Sequence, residues 1–434
     1  YLVDANQKRG TPMPTNIPYG SVLAHKSQSV GLFAACVNRL STMNRLTGSF
    51  PKQADAENKL RNQSKNYMPI VRCMDLTKNA GDQVTFDLVN HVGGKPIMGG
   101  RTAEGKGVSM SFSQDSLKIN QTRKPISAGD TMTQQRTPHE LRKLARAQGH
   151  GYMGRLDDQL KLIHMAGSRG FHNNAEWVVP LASDGDFSEI VVNSIKAPTY
   201  NRHFFAAGNY LEKPNASSNA VGLATTDLFN FSMLDHLRSI LDEMAFPPAP
   251  AKFDGDQLAE DSPVYPLLVS PAQYAAFVGS STFRTYQANA HQRASMAKNN
   301  PLFRGEAGLW NNFLIIKMPK PIRFYAGDAL NWCASATSEN ETSTDLVPSG
   351  FSTTHAVDRA LLLGAQTLGE ALGKAKQSGV PYFVNEEELD HKDKVEILFG
   401  KIGGYSKIRF DIDHGADGIQ PTDNVIAIDT AVKL

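Results

Sequence analysis

Residues 81–167 contain two short segments of alternating apolar and polar residues, joined by a glycine-rich connection and followed directly by a long helical pattern. Residues 84–89 and 108–112 alternate apolar and polar side chains, and six glycines lie between them: Gly93, Gly94, Gly99, Gly100, Gly105 and Gly107. Period-two segments on either side of a glycine cluster predict two strands joined by a long open loop. Such a loop is too polar to form its own core, so we expect it to project and to become ordered on a neighbouring copy.

A helix of about 30 residues, or ~45 Å, is predicted directly after this hairpin. Thr137 is the expected N-cap, Pro138 the first helical residue and Glu140 the partner that completes a capping box, while Gly167 is the expected end. The expected buried stripe consists of Leu141, Leu144, Tyr152, Leu156, Leu160 and Ile163. Three glycines inside the helix, Gly149, Gly151 and Gly154, predict a bend or a close crossing. Taken alone, this pattern is equally typical of an ordinary core helix.

Composition indicates a globular chain with two or three domain-sized units, because 434 residues with 41% hydrophobic and 20% charged side chains can bury a substantial core. Three widely separated cysteines, Cys36, Cys73 and Cys333, fit neither a disulfide framework nor a metal site and favour a reducing compartment. The sequence has no apolar run long enough for a membrane span and no signal-peptide pattern near residue 1. We therefore expect neither a membrane protein nor an exported one.

Charge is distributed unevenly along the chain. Residues 1–170 carry 24 Lys and Arg against 12 Asp and Glu, whereas the remaining residues carry 21 against 31. A basic half could face nucleic acid, and an acidic half could meet the basic half of another copy. Ordinary solvated surfaces explain the same division, and charge alone does not decide between these readings.

The rest of the chain alternates strand-like and helix-like segments, which predicts a mixed α+β fold. Helices are expected at 227–244, capped by Asp227, and after Ser270–Pro271. Expected strands are 265–269, a strand pair within 312–324, paired strands at 395–400 and 406–410, and a final buried strand at 425–428 that closes a sheet begun much earlier. The polar residues 334–355 are expected to form a surface loop or insertion.

Motifs for catalysis or cofactors are incomplete. Residues 100–107 approach a phosphate-binding loop, but Gly107 stands where a magnesium-binding Ser or Thr is needed and a strand follows instead of a helix. Asp411, Asp413, Asp417 and Gly418 resemble part of a calcium loop that lacks two ligands. No nucleophile elbow or His-Glu-x-x-His motif is present. We therefore assign no catalytic, cofactor-binding or metal-binding residue.

Several segments in consistent order resemble the major capsid proteins of tailed bacteriophages, specifically the branch of large podophages that carry a virion RNA polymerase. These segments are 79–86, 116–124, the helix down to Gly167, 300–310, 362–366 and 407–411. The resemblance covers residues 70–434. It implies the shell-forming α+β fold shared by tailed phages and herpesviruses, with an N-terminal arm, an extended β-hairpin loop, a long spine helix, and peripheral and axial domains.

The resemblance also implies a division of the chain. The expected parts are an N-terminal arm at 1–70, the extended loop with flanking strands at 71–136, the spine helix and peripheral domain at 137–180, a mostly axial domain at 181–330, a surface loop or insertion at 331–356, and return strands with a helix, in the axial and peripheral domains, at 357–434.

The implied function is structural: many copies assemble into hexamers and pentamers of an icosahedral phage head around double-stranded DNA, without catalysis or cofactor. The implied partners are further copies, a portal, scaffold or decoration proteins, and DNA held without sequence preference, with assembly in the host cytoplasm. Lys95, Arg101 and Lys106 at the loop tip are candidate contacts with a neighbouring subunit.

Two other classes of function stay open at the level of sequence. An intracellular hydrolase with dispersed catalytic residues would show a concave pocket with perturbed titratable groups. Another virion structural component, such as a tail or connector protein, would form rings only.

Overall fold

A computed structural model describes residues 32, 36, 39, 41–48, 67–74, 76, 81–89, 97–105, 112–172, 175–214, 222–244, 246–252, 264–280, 309–338, 343–351, 353–376, 379–391, 393–413 and 419–434. These residues divide into two units. The smaller unit takes those within Tyr1–Asn38, Gln121–Met153 and Lys374–Ile402; the larger takes those within Arg39–Asn120, Gly154–Gly373 and Gly403–Leu434.

Helices with described bounds are α1 (Thr42–Arg45), α2 (Thr131–Arg136), α3 (Leu141–Ala166), α4 (Phe187–Val191), α5 (Phe231–Glu243) and α6 (Pro271–Gly279). Short 3-10 turns cover Tyr200–Arg202 and Ser349–Phe351. The strands of the described residues are β1 (Ile70–Cys73), β2 (Gln83–Val89), β3 (Phe112–Lys118), β4 (Asn120–Asp130), β5 (His203–Ala207), β6 (Tyr210–Glu212), β7 (Tyr265–Val269), β8 (Leu309–Trp310), β9 (Phe313–Lys317), β10 (Arg323–Phe324), β11 (Ala329–Trp332), β12 (Ser343–Leu346), β13 (His355–Leu363), β14 (Leu368–Leu372), β15 (Tyr382–Leu389), β16 (Lys394–Lys407), β17 (Arg409–Asp413), β18 (Ile419–Asp423) and β19 (Val425–Lys433).

The smaller unit packs the first half of α3 on an antiparallel strand pair. β15 pairs with β16 from Tyr382↔Lys401 to Leu389↔Lys394, and β4 also pairs with β16. The core of this unit comprises Leu32, Cys36, Ala145, Met153, Tyr382, Val384, Ile397 and Phe399. On its more polar side, the buried Glu386 carboxylate accepts hydrogen bonds from both Arg142 and Arg146. One face of α3 is thereby fixed by apolar packing and by two ion pairs.

The larger unit is built on an eight-stranded mixed sheet with the order β6-β5-β19-β13-β7-β9-β8, in which β10 also pairs with β13. β13 and β19 form its centre, with nine residues in antiparallel register from His355↔Lys433 to Leu363↔Val425. Both strands are buried along nearly their whole length, which their runs of Ala, Val, Leu and Ile explain. In the same unit, β1 lies parallel to β14, and β14 lies antiparallel to the end of β16.

The long predicted helix is confirmed, but its start is not the predicted one. α3 begins at Leu141. Thr137 is instead the C-cap residue of α2, and its backbone is extended. Gln134 replaces the expected capping box, because its amide group accepts from the Leu141 N–H and donates to the His139 carbonyl. The predicted end is confirmed: Gly167 has φ 67° and its N–H donates to Ile163.

The buried stripe of α3 differs from the prediction at Leu144, which is 49% exposed, whereas Ala145 and Met153 are buried. Of the three internal glycines, two mark close crossings within their own units. A Cβ on Gly149 would lie 2.1 Å from the Phe399 ring, and one on Gly154 would lie 2.9 Å from the Arg39 guanidinium. A Cβ on Gly151 would meet open space, so this glycine does not mark a close crossing.

Other local predictions have mixed outcomes. Strand 265–269, the Ser270–Pro271 helix start with its capping box, and the final strand are confirmed, and β19 does close a sheet begun at β5. The cap of α5 is Asn230, not Asp227, whose carboxylate instead accepts from the Gly208 and Ala224 N–H groups.

Two predictions of paired strands are wrong because each strand pairs with another segment of the chain. β9 and β10, within 312–324, pair with β7 and β13 rather than with each other. Residues 395–400 and 406–407 belong to one continuous strand, β16. Within the predicted surface loop at 334–355, the described segment 343–346 is strand β12, which pairs with β11, and the Phe351 side chain is buried. The helix expected within 357–434 is not found among the described residues of that range, whose regular elements are strands β13 to β19. Of the predicted strand at 108–112, residues 108–111 lie outside the described residues.

Candidate assembly interface

The predicted hairpin is present as β2 and β3. Its register runs from Gln83↔Lys118 to Val89↔Phe112, antiparallel throughout. Along β3, Ser113 and Leu117 are buried while Phe112 and Lys118 are exposed. This pattern is typical of a two-stranded arm with one face on the body and one face open.

An ion pair fixes the base of this hairpin to the larger unit. The Asp115 carboxylate accepts from Lys196 Nζ at 2.6 and 2.8 Å and from the Arg409 backbone N–H at 2.8 Å. Lys196 also donates to the Lys407 carbonyl at 3.2 Å. Because both charged groups are mostly shielded from solvent, this pair is worth more than an exposed one.

Backbone contacts continue this attachment at the end of β3. Asn193 accepts from the Lys118 N–H and donates to the Lys118 carbonyl, both at 2.9 Å. A Cβ on Gly404 would lie 2.1 Å from the same carbonyl oxygen, so only glycine permits this approach. At Gly369, an added Cβ would meet the Phe86 ring at 2.9 Å. The hairpin base is thus held by an ion pair, by hydrogen bonds of the Asn193 side-chain amide and by close packing at two glycines.

The distal part of the hairpin is open. Residues 97–105 are exposed, including Met98, whose exposed fraction is 70%, and Phe112 at the start of β3 is 63% exposed. Positive φ angles at Gly99 and Gly105 explain why glycines occur there. Arg101, one of the three predicted contact residues, lies in this exposed segment, whereas Lys95 and Lys106 lie outside the described residues.

Three buried ionic centres lie inside the larger unit, and the first joins β13 to β19. Arg359 donates to both Asp429 oxygens at 2.7 and 2.8 Å and to the Ala166 carbonyl at 2.9 Å, while His203 Nε2 lies 2.7 Å from Asp429. Burial alone would raise the pKa of Asp429, but the charge of Arg359 outweighs it and lowers that pKa to about 2. Asp429 is therefore ionised, and the end of α3 is tied to the central sheet.

The second centre surrounds Asp423. Lys407 Nζ and Arg409 Nε lie 3.0 and 2.8 Å from its carboxylate oxygens. Burial alone would raise the pKa of Asp423, but these two cations lower it to about 2. Burial also lowers the pKa of Lys407 to about 8, against the opposing charge of Asp423.

The third centre lies where α3 meets β1 and β14. The buried Glu370 carboxylate accepts from Arg72 Nε at 2.8 Å and lies 3.5 Å from Lys161 Nζ. Close to this carboxylate, the Tyr405 hydroxyl donates a hydrogen bond to Asp157 at 3.0 Å. Charges buried in this way resist separation, because removal of one partner leaves the other unpaired in a low-dielectric interior.

None of these centres was predicted from the sequence, because their partners are far apart along it: Arg72 and Glu370 are separated by 298 residues. No local sequence pattern connects residues that are so far apart. Within the described residues, no group of His, Cys, Asp and Glu side chains is arranged to hold a metal ion. The same residues include no helix long and apolar enough to cross a membrane.

Solved capsid structures resemble this chain over most of its length. The capsid of Ralstonia phage GP4 is 24% identical with a TM-score of 0.63, over 89% of this chain and 94% of that one. The cyanophage Pam1 capsid is 14% identical with a TM-score of 0.57, over 91% and 98%. The acid-stable capsid of Helicobacter pylori bacteriophage KHP30 is 11% identical with a TM-score of 0.53, over 85% and 89%. These likenesses show a shared fold.

A sequence comparison with curated proteins gives no match. The family model described as phage capsid protein, however, matches residues 16–434, which is nearly the entire chain. The α+β fold expected from the resemblance is therefore confirmed. The chain belongs to the phage capsid protein family, and it is a structural shell protein of the virion.

Proposed function

We propose that this chain is the major capsid protein of a tailed phage, and that its copies form a closed icosahedral head around double-stranded DNA. The observation that carries the proposal is the β2–β3 hairpin, whose base is held by Asp115, Lys196 and Asn193 while its distal part is exposed. A fixed base directs an exposed, partly apolar segment toward another surface. In a shell of identical subunits that surface belongs to the next copy.

The proposed parts of the subunit follow the expected division. Residues 1–70 form the N-terminal arm, 71–136 the extended loop, 137–180 the spine helix and peripheral domain, 181–330 the mostly axial domain, 331–356 an insertion and 357–434 the return strands. The hairpin and α3 support the second and third assignments, because both elements lie within the expected bounds. The axial domain is expected to meet its copies at hexamer and pentamer centres.

The loop tip is proposed to carry basic contacts. Lys95, Arg101 and Lys106 would meet acidic residues of an adjacent subunit, since the first 170 residues have a net charge of +12 and the remainder −10. The exposure of Arg101 supports this assignment. Contacts of this kind weaken as salt screens them.

Further partners follow from a head that is filled with DNA. The basic part of the chain would face the phosphates, and such contacts depend on salt but not on base sequence. A portal, and scaffold or decoration proteins, would bind the shell, which would assemble in the host cytoplasm. The role is structural and needs no catalysis.

Electron microscopy of the purified full chain, alone and from its native source, combined with sedimentation, tests the proposal. Closed shells tens of nanometres across are the expected result. Rings without closed shells would identify a connector-like protein instead. A small discrete oligomer under every condition, including co-expression with neighbouring genes, would overturn the proposal.

A further inference from the structure

A cavity of about 410 Å³ lies within the larger unit, apart from the hairpin. Its lining combines two cations, Arg202 and Lys213, with one carboxylate, Glu243, and with apolar side chains that include Phe204, Ile240 and Ala336. A cavity of this size falls within the range of small-molecule sites, which pair apolar walls with a few polar groups. Its chemistry therefore indicates what it would hold.

Arg202 is the key lining residue, because it is buried to 3% exposure and yet has only neutral partners. Its Nε donates to the Asp423 backbone carbonyl at 3.1 Å, Nη1 lies 2.7 Å from the Met244 sulfur, and Nη2 donates to the Phe246 carbonyl. No carboxylate oxygen of the described residues lies within ion-pair distance of this guanidinium. A buried cation normally has an anionic partner.

The nearby buried carboxylate of Asp423 already forms ion pairs with Lys407 and Arg409. Three buried cations thus surround one buried anion in this region. Burial lowers the pKa of Arg202 to about 10, in spite of the opposing effect of Asp423, so the guanidinium is still charged at neutral pH. A further anion would offset this excess of positive charge among the described residues.

Lys213 adds a second cation at the exposed side of the cavity. Its Nζ donates to Asn201 Oδ1 at 3.1 Å and lies 5.1 Å from the centre of the Tyr200 ring, again without an anionic partner among the described residues. Among the described residues, Glu243 is the one acidic side chain that lines the cavity, and it is exposed. An anion that enters would therefore meet two cations, with one repelling carboxylate at the rim.

We propose that this cavity binds an oxyanion, a carboxylate or phosphate group, carried on a small apolar body. Arg202 and Lys213 would hold the charged group, and Phe204, Ile240 and Ala336 would contact the body. The oxyanion could come from a free small molecule or from an acidic side chain of a second copy. The chemistry is the same in both cases, and assembly distinguishes the sources.

The test is isothermal titration calorimetry of the unassembled full chain with inorganic phosphate and with glutarate, against chloride at equal ionic strength. We expect binding of at least one probe, weakened about tenfold by Lys213→Gln, which removes a charge-assisted hydrogen bond. Ala336→Trp should abolish binding by filling the cavity without altering its charges. Glu243→Gln should strengthen binding. Lys317→Gln, at an exposed lysine outside the cavity, is the matched control.

The same titration on assembled shells separates the two sources. A free ligand would bind both subunits and shells, whereas a site filled by a neighbouring copy would bind the probe only before assembly. Both outcomes support the cavity as an oxyanion site. Absence of binding heat with both probes, or equal binding by the wild type and Ala336→Trp, would overturn it. Shell formation is scored separately, so this inference can fail while the proposed function stands.

Discussion

Arg359 and Asp429 are direct cross-strand partners on β13 and β19, and their fully buried side chains form a two-pronged ion pair. The same guanidinium reaches the Ala166 carbonyl at the end of α3. One arginine therefore connects the two central strands of the main sheet with the long helix.

Replacement of this arginine should be strongly destabilising. Arg359→Met leaves the Asp429 carboxylate buried without its main partner, and we expect a loss of about 3–5 kcal/mol in the free energy of unfolding. Urea unfolding of the unassembled subunit measures it. Arg238→Met is the control, because its pair with Asp242 is partly exposed and should be worth less than about 1 kcal/mol. Equal losses in both variants would contradict the prediction.

Burial of His164 should make the subunit sensitive to mild acid. Burial, opposed by the Val191 carbonyl and reinforced by Lys407 and Lys196, lowers the pKa of His164 from 6.5 to about 4. The unfolded chain then binds a proton that the folded chain rejects, so stability falls as pH drops from about 6.5 to 4, by about 3 kcal/mol from this group.

The variant His164→Gln tests this window, since its amide can still donate to Val191. The variant should lose less stability than the wild type between pH 6.5 and 4 in urea unfolding. His139→Gln, at an exposed histidine, serves as the control and should follow the wild type. An unchanged pH slope in His164→Gln would rule out this account.

Two neighbouring glycines of α3 should respond to alanine with opposite signs. Gly149→Ala places a methyl group 2.1 Å from the Phe399 ring, and the resulting overpacking should cost about 1–3 kcal/mol. Gly151→Ala enters open space and should stabilise the helix by about 1 kcal/mol. Thermal unfolding of the two variants checks the contrast. Stabilisation by both would mean that Phe399 does not pack on this helix.

Loss of the hairpin anchor should loosen β3 locally. Lys196→Met removes the ion pair with Asp115, and amide hydrogen exchange at residues 112–118 should become about fivefold faster, which corresponds to a contribution near 1 kcal/mol. The control Lys317→Met, at an exposed lysine, should leave this exchange unchanged. Uniform acceleration across the whole chain would indicate global destabilisation instead of a released anchor.

Charge reversal at the loop tip tests the proposed contact between subunits. The triple variant Lys95→Glu, Arg101→Glu and Lys106→Glu should assemble poorly at low salt, because attraction to acidic residues becomes repulsion. Shell yield by sedimentation across a salt series measures the effect. The matched control reverses three exposed basic residues elsewhere, Arg136, Lys143 and Arg155. If yield and its salt dependence are the same in the wild type and the loop-tip variant, these residues do not mediate assembly.

Local signals in the sequence predicted local structure well. Ser270 and Pro271 begin a helix because the cap, the proline and Gln273 act within four residues, and this prediction is confirmed. The same reasoning failed at Thr137, where the competing helix α2 ends and Gln134 supplies the cap from a preceding element. A cap signal thus predicts a helix start only where no neighbouring side chain fills that role.

Long-range pairing was the part that could not be predicted. Residues 395–400 and 406–410 have strand patterns, but a pattern of period two does not identify the partner strand. The ionic centres and the cavity could not be predicted for the same reason, because they are formed by residues far apart in the sequence. Arg202 and Asp423, for example, approach each other only after folding. The hairpin and long helix were predicted because each is specified within one continuous segment.

The position of β19 has a consequence for synthesis. Although residues 425–433 follow every other described strand along the chain, they form a central strand between β5 and β13. A nascent chain that lacks them has neither the Asp429 partner of Arg359 nor the strand that joins β5 and β6 to the rest of the sheet. Chains that terminate before β19 therefore cannot complete this sheet, and a growing shell is supplied only by subunits in which β19 has been synthesised.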